Sequence, residues 1–448
     1  MAIEIKAIGG YAEVGKNMTA VKVDDEVIII DMGIHLPNYI KITEEEGETV
    51  IKLKASDLIK ARAIPNTNMI KDWKDQVKAI VPTHAHLDHI GAIPYLASRF
   101  KDAPVICTPF TAAVLKSILK DEKIKLPNKI KTINPNSKIK ISDKITVELV
   151  NITHSTPQSS VVAIHTPYGA VVYAADFKLD NTPTLGGKPN YAALESLGRK
   201  GVAVAIVNAL YAPYDGKCPS ESVAKEMLKG VLLDVDSRGK AIIATTFSSH
   251  IARLRSIVAL AKKLNRKVVF LGRSLAKYID AAAEANITRL DKEGEVCRFA
   301  KQIARKLKQI QKVGPEKYFL VVTGHQGEPK ATLSKMSNGI YPFMFEDEDE
   351  VIFSCNVIPT PINKAYREIL EDHLKAKGVR IFKGAHVSGH GRKEDIRDLI
   401  KLLKPKHIVP VHCEKPAMDA FIELGTKMGY EECKTAHQLL NGHSLIFE

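Results

Sequence analysis

Cysteine is scarce and scattered in this chain. Its six residues, Cys107, Cys218, Cys297, Cys355, Cys413 and Cys433, include no Cys-x-x-Cys pair, which argues against a disulfide framework and against a zinc ribbon and leaves reduced thiols as the expectation. No apolar run approaches the roughly 18 residues that a membrane span needs. The start, Met1-Ala2-Ile3-Glu4-Ile5-Lys6, lacks the basic-then-apolar pattern of a secretory signal, so no membrane partner and a cytoplasmic location are expected. Internal repeats and low-complexity linkers are absent as well. Acidic residues are in deficit: 51 Asp+Glu against 65 Lys+Arg leave a net charge of +14. That is high for an enzyme acting on a small neutral substrate and favours a polyanionic partner, although a Lys-, Ile- and Glu-rich composition adapted to heat gives similar charge.

What is present is enough for two to three domains with a sizeable core, since the 448 residues are 45% hydrophobic. The densest chemistry lies in Thr83-His84-Ala85-His86-Leu87-Asp88-His89, between the apolar run Val77–Val81, read as a buried strand, and Ile90-Gly91-Ala92-Ile93-Pro94-Tyr95-Leu96, which starts like a helix. The donors therefore sit at a strand's C-terminal end. From an extended backbone His84 and His86 point the same way, and Asp88 and His89, adjacent at the turn, are expected to point apart. One pair can serve one metal and the other pair a second. Imidazoles with a carboxylate and no thiolate suit catalytic Zn²⁺, and Mn²⁺ or Fe²⁺ as well. Chance placement of this spacing has odds on the order of one in a thousand, which decides against a merely His-rich turn.

The same pattern recurs along the chain. Lys144 to Ile152 reads as a strand ending at His154, Gly169 to Ala175 as one ending at Asp176, and His407 to Val411 as one ending at His412. A metal site along one sheet edge needs donors placed in this way. Val27–Ile30 ends on Asp31, read as a group that holds the metal loop rather than a ligand. Gly9-Gly10 to Lys16-Asn17 matches neither nucleotide-binding fingerprint and reads as a tight hairpin. The acidic run Glu44-Glu45-Glu46 reads as an exposed excursion.

From about 210 to 380 the pattern is that of a second α/β unit, with strands at Ala241–Thr246 and Lys267–Leu271 and a basic amphipathic helix over Val296–Lys312. Its turns carry Ser248-Ser249-His250 with Arg253, then Gly272-Arg273-Ser274, then Gly324-His325-Gln326-Gly327-Glu328. Hydroxyls, amides and Arg at such turns suit phosphate. Gly384-Ala385-His386-Val387-Ser388-Gly389-His390 follows, and from 381 the style of the first domain resumes. The expected domains are 1–209, 210–380 and 381–448, the first and third forming one domain split by the second.

His84, His86, Asp88, His89, His154 and Asp176, each at a strand end, resemble the dinuclear site of the metallo-β-lactamase fold. Asp31-Met32-Gly33, Thr245 to Arg253, Gly272-Arg273-Ser274, Gln326-Gly327-Glu328-Pro329, His386 to His390 and Val411-His412 further resemble the β-CASP nuclease branch, and most closely the RNase J family in its compact archaeal form. The resemblance implies an α/β (α+β) chain, a metallo-β-lactamase αββα sandwich with an inserted β-CASP α/β domain. It implies two Zn²⁺, or Mn²⁺, with His84, His86 and His154 on one, Asp88, His89 and His412 on the other, and Asp176 bridging. It also implies a homodimer that degrades single-stranded RNA 5′-to-3′ with preference for a 5′ monophosphate. His390 would contact the scissile phosphate or protonate the leaving oxygen, with His386 and Asp88 also in the catalytic set. Ser249, Arg253, Arg273, Ser274, His386, Ser388, Gly389 and His390 would contact RNA. Where the family carries an acid that pairs with the histidine at the His390 position, this chain has Asn208.

Competing readings share part of this pattern. A β-CASP endonuclease for RNA 3′ ends or DNA shares every metal ligand. A small-molecule hydrolase would need neither the inserted domain nor the charge. A catalytically impaired RNA-binding form follows if Asn208 is disabling, and retention of all seven ligands argues against it.

Overall fold

Alternating apolar residues along the strands set the layers. The computed structural model describes residues 2–45 and 53–447, and the chain divides into two compact units. Unit 1 comprises Met1–Asn181, Gly187–Cys218 and Gly389–Glu448, and unit 2 comprises Thr182–Gly186 and Pro219–Ser388. The side chains of Glu44, Glu45 and Glu46 lie outside the described residues. All six cysteines are free thiols, and no described helix is long and apolar enough to cross a membrane.

Unit 1 holds two sheets. A seven-stranded one runs Ser444–Phe447, Ile3–Gly9, Met18–Val23, Glu26–Ile30, Val77–Val81, Val105–Cys107, Ile130–Thr132. A six-stranded one runs His407–Val411, Val202–Asn208, Gly169–Ala174, Ser160–Thr166, Thr146–Asn151, Ser137–Lys140. One parity of each sheet meets the other sheet: Ile5, Val21, Ile28 and Val81 pack with Val147, Val162, Tyr173, Ile206 and Val411. The opposite parity of the six-stranded sheet (Val172, Ala205, Val207, Ile408) packs on Leu194, Ile396, Leu399 and Phe421 from the helices Tyr191–Lys200, Lys393–Leu403 and Lys415–Lys427. Ile29 and Ile80, on the outer parity of the seven-stranded sheet, are fully buried, as are Phe110, Val114 and Leu115 of the helix Pro109–Asp121. The result is an αββα sandwich. The segment after 389 adds one strand to each sheet, so unit 1 is incomplete without it.

Unit 2 is an α/β layer with a six-stranded, all-parallel sheet ordered Glu295–Cys297, Lys267–Leu271, Tyr318–Val322, Ile242–Thr245, Glu350–Phe353, Arg380–Lys383. Parallel strands bring all their C-terminal turns to one edge. Ser248 and Ser274, from two such turns, touch there with Oγ–Oγ at 2.9 Å.

Three expectations change. The basic helix spans Ala300–Val313, because Val296 and Cys297 pair with Phe270 and Leu271 as a short edge strand. The unit boundaries fall after Cys218 and Ser388 rather than at 209 and 380. Tyr211 bridges Arg392 and the Cys218 amide donates to Asp395, which keeps 210–218 in unit 1, while Arg380–Lys383 is a strand of the second sheet. Finally, Gly10 to Asn17 does connect Ile3–Gly9 and Met18–Val23 as an antiparallel hairpin, but as a long loop rather than a tight turn. It reaches across to the metal loop, with the Asn17 amide donating to the Asp88 carbonyl (3.0 Å) and the Gly33 amide to the Asn17 carbonyl (3.0 Å).

Candidate metal centre

The strand Val77–Val81 delivers the chain to Thr83, and the one-turn helix Leu87–Ile90 then folds the donors inward. Its close packing depends on Gly33, where an added Cβ would lie 1.5 Å from the Asp88 carbonyl oxygen. In a helical turn neighbouring side chains diverge by only about 100°. Asp88 and His89 therefore converge rather than point apart, with Oδ2 and Nε2 at 3.6 Å.

Three overlapping groups among the described residues could hold a metal ion: His84, His86, His154 and Asp176; Asp88, His89 and His412; and Asp176, His390 and His412. The first two lie on either side of the Asp176 carboxylate. Asp176 Oδ2 lies 3.5 Å from His84 Nε2, 3.9 Å from His86 Nδ1 and 3.4 Å from His154 Nε2. Its other oxygen, Oδ1, lies 3.5 Å from His89 Nε2 and 4.0 Å from His412 Nε2. Asp88 Oδ2 is 3.8 Å from His412 Nδ1 and completes the second group. Five nitrogens and two carboxylates without a thiolate fit Zn²⁺, Mn²⁺ or Fe²⁺.

Outer partners fix the rings. Asp31, fully buried, takes His89 Nδ1 at 2.7 Å and the Thr83 amide at 2.7 Å, the holding role expected of it. Thr83 Oγ1 also lies 3.0 Å from His84 Nδ1, and His154 Nδ1 donates to the Gly389 carbonyl at 2.7 Å. Gly389 has no room for a side chain, because its Cβ would stand 2.8 Å from the His154 ring. Burial pushes His84 down to about 3, which keeps its imidazole a neutral donor. Burial acts on His89 in the same direction, yet the carboxylates of Asp31, Asp88 and Asp176 outweigh it and hold that ring well above its ordinary value. Asp31 and His412 both hold left-handed backbone (φ 58° and 57°), strain concentrated where ligands are aimed.

Asn17 escaped the sequence reading. Its side-chain amide lies 3.1 Å from His89 Nε2, and its Oδ1 lies 3.1 Å from His412 Nδ1, so it joins a ligand from each end of the chain. The only local signal was its place after a glycine-rich turn.

His390 sits beside the centre, with Nδ1 3.8 Å from Asp176 Oδ1, its ring stacked 5.8 Å from His412 and edge-on to Tyr211. Burial pushes it down to about 4. Asn208 ends its strand with Nδ2 donating to Asp176 Oδ1 at 2.7 Å and lies 3.4 Å from His390 Nδ1. Leu210 N–H donates to Asn208 Oδ1 at 2.9 Å, which fixes the amide orientation.

The remaining residues belong to unit 2 and are described within it. Ser249 is buried beside His250, whereas Arg273 and Ser274 open the helix Arg273–Glu284 and are exposed. Ser388 and His386 are half-buried. Arg253 is fully buried: it donates to both Glu221 oxygens (2.6 and 2.8 Å), to Ser354, and toward His386 Nδ1 at 3.3 Å. As placed, Arg253 ties the unit together and does not reach an external phosphate.

Three family models match successive parts of the chain. Residues 70–229 match the metallo-beta-lactamase superfamily, 239–371 the beta-CASP domain of ribonuclease J, and 378–436 the Zn-dependent metallo-hydrolase RNA specificity domain. Ribonuclease J of Methanocaldococcus jannaschii is 44% identical over 100% of this chain and 99% of its own length. That of Pyrococcus abyssi is 43% identical over 98% of this chain and 96% of its own length. The chain belongs to the ribonuclease J family. Among solved structures, a protein of unknown function from Enterococcus faecalis V583 superposes over both whole chains with a TM-score of 0.66 at 18% identity, a likeness of fold. In the ribonuclease J frame, the first match carries His84 to Asn208, and the RNA specificity match carries His386, Ser388, His390 and His412.

Proposed function

We propose that this ribonuclease J family member, a metal-dependent ribonuclease, degrades single-stranded RNA from its 5′ end on two zinc ions, with preference for a 5′ monophosphate. One observation carries the reading: the two oxygens of Asp176 face two separate donor groups. Ions held there would lower the pKa of a water and offset charge on a phosphate under in-line attack. Manganese suits the same donors.

The chain's own residues supply orientation and the proton. His390 contacts the scissile phosphate, or passes a proton to the leaving 3′ oxygen once the negative charge of the bound phosphate offsets the burial that otherwise holds its ring neutral. Asn208 positions its ring by lying between Asp176 and His390 Nδ1. Asp88 completes the second donor group. Ser249, Arg273, Ser274, His386 and Ser388 are the proposed phosphate contacts of unit 2, and Gly389 keeps a side chain away from His154. Arg253 drops out of the contact set and acts through His386. The assembly is a homodimer, proposed from the family resemblance and tested by light scattering.

Product sizing tests the reaction. With RNA labelled at its 5′ end, mononucleotides appear from the first time points, and the monophosphorylated form disappears faster than the triphosphorylated form. Internal fragments accumulating first, or indifference to the 5′ phosphate, would replace the exonuclease with the endonuclease reading.

A further inference from the structure

The helix Ala300–Val313 of unit 2 carries five cations and no acid in fourteen residues, Ala-Lys-Gln-Ile-Ala-Arg-Lys-Leu-Lys-Gln-Ile-Gln-Lys-Val. Ile303, Leu307 and Ile310 are buried in the core of unit 2 with Val269, Leu271, Leu320 and Val322. At about 100° per residue, Lys301, Arg305, Lys308 and Lys312 then fall on the face directly opposite, and all four are exposed. The fifth cation, Lys306, is buried and pairs with Glu295 at 2.5 Å. Among the described residues the four exposed cations have no ion-pair partner.

Some lysines on other helices are neutralised within their own helix. Lys229 pairs with Glu226, Lys375 with Asp372, Lys415 with Asp419 and Lys427 with Glu423, each about one turn away. Here the spacing of four, three and four residues instead sets like charges next to one another, an arrangement that repels itself unless a polyanion lies along it. The stripe runs about 16 Å along the helix axis. Gln302 and Gln309 flank it, so it offers no apolar face to insert into a lipid surface. At the helix start Phe299 is 57% exposed, a free aromatic ring on which an unpaired base can stack.

We propose that this stripe is an accessory RNA-binding surface, engaging the phosphates of single-stranded RNA with Phe299 as a stacking platform. The proposal rests on RNA being the substrate. It adds that unit 2 holds RNA on the outer side of this helix, away from its own core, and so favours long over short RNA.

The test uses the zinc-loaded full chain and uncleavable 2′-O-methyl RNA of about 6 and about 40 nucleotides, with affinity read by anisotropy over a salt series. K301Q/R305Q/K308Q/K312Q should weaken binding of the longer RNA about tenfold to a hundredfold more than that of the shorter. It should lower the salt slope by about 3, at about 0.7 per cation removed. Phe299→Ala should weaken the longer RNA severalfold with the slope unchanged. Unaltered circular dichroism and thermal midpoint establish that the variants fold. Equal losses for both lengths, no loss, or a loss confined to anionic phosphatidylserine vesicles overturns the proposal. Cleavage of unmodified short RNA by the parent protein is followed in parallel, and its absence counts against the proposed function rather than against the stripe.

Discussion

At the scale of single residues, the centre depends on positions that hold ligands without being ligands. Gly33 is the sharpest case, because the first carbon of any side chain would collide with the backbone of Asp88 and with the His89 amide. Overpacking of this kind costs about 1–3 kcal/mol, and here the strain falls on two donors of one metal group. Gly33→Ala should therefore lower the unfolding free energy by that amount and retain less than half the zinc of the parent chain, as elemental analysis would read. Asn208 raises the opposite question, since its amide donates to Asp176 and lies near His390. Asn208→Asp keeps the acceptor for the Leu210 amide but exchanges that donor for a charge able to hold His390. With the centre loaded, single-turnover cleavage should rise about tenfold to a thousandfold at unchanged RNA affinity. Equal rates would show that an amide suffices at this place.

At the scale of elements, unit 2 is fastened by a buried ion pair. Glu221 opens the helix Glu221–Leu233, Arg253 lies in the helix Ile251–Lys263, and their doubly hydrogen-bonded contact also reaches Ser354 and the backbone at Ala385. Removing one partner leaves a buried charge unmatched, so Arg253→Met should cost about 3–5 kcal/mol, and Glu221→Met made with it should recover much of the loss. Burial opposes the charge on Glu221, but His250 and Arg253 hold its carboxyl well below the usual range. The pair therefore stabilises fully above the ordinary carboxylate pKa and loses its effect as pH falls from there through the depressed folded-state value, a slope that denaturant titrations of R253M should show reduced, with His250 still beside the carboxylate. This pair also marks where sequence ceases to inform. Arg253 follows Ser-Ser-His at a strand end and reads as a phosphate contact, because nothing local shows that Glu221 folds back onto it. The metal loop was legible for the converse reason: His84 to His89 lie within one turn of chain, and each remaining ligand ends its own apolar strand. Asn17 was not, since its partners His89 and His412 are brought to it only by the assembled sheets. The start of the basic helix was misread because Glu295–Cys297 becomes strand only through pairing with Lys267–Leu271.

At the scale of the whole molecule, the centre closes unit 1 upon itself. Its donors come from the metal loop, from two strands of the six-stranded sheet and, at His412, from the segment that follows unit 2. That last segment gives one edge strand to each sheet, so an ion held by His412 together with the metal loop should couple its binding to the docking of both strands. The centre gathers five imidazoles around two carboxylates, with His86 Nδ1 3.1 Å from His84 Nε2 and 3.2 Å from His154 Nε2. An ion bound only by the folded state adds about 2.7 kcal/mol at a hundredfold excess over its dissociation constant. For a unit of this size that is a rise in midpoint of about 5–10 °C, measured by scanning calorimetry of chelated and zinc-loaded protein. His84→Ala and His412→Ala, changes near opposite ends of the chain, should each remove most of that rise. If His412→Ala kept the full zinc-dependent increment while His84→Ala lost it, the ions would be fastening the metal loop alone and the C-terminal segment would be held by its strands without them.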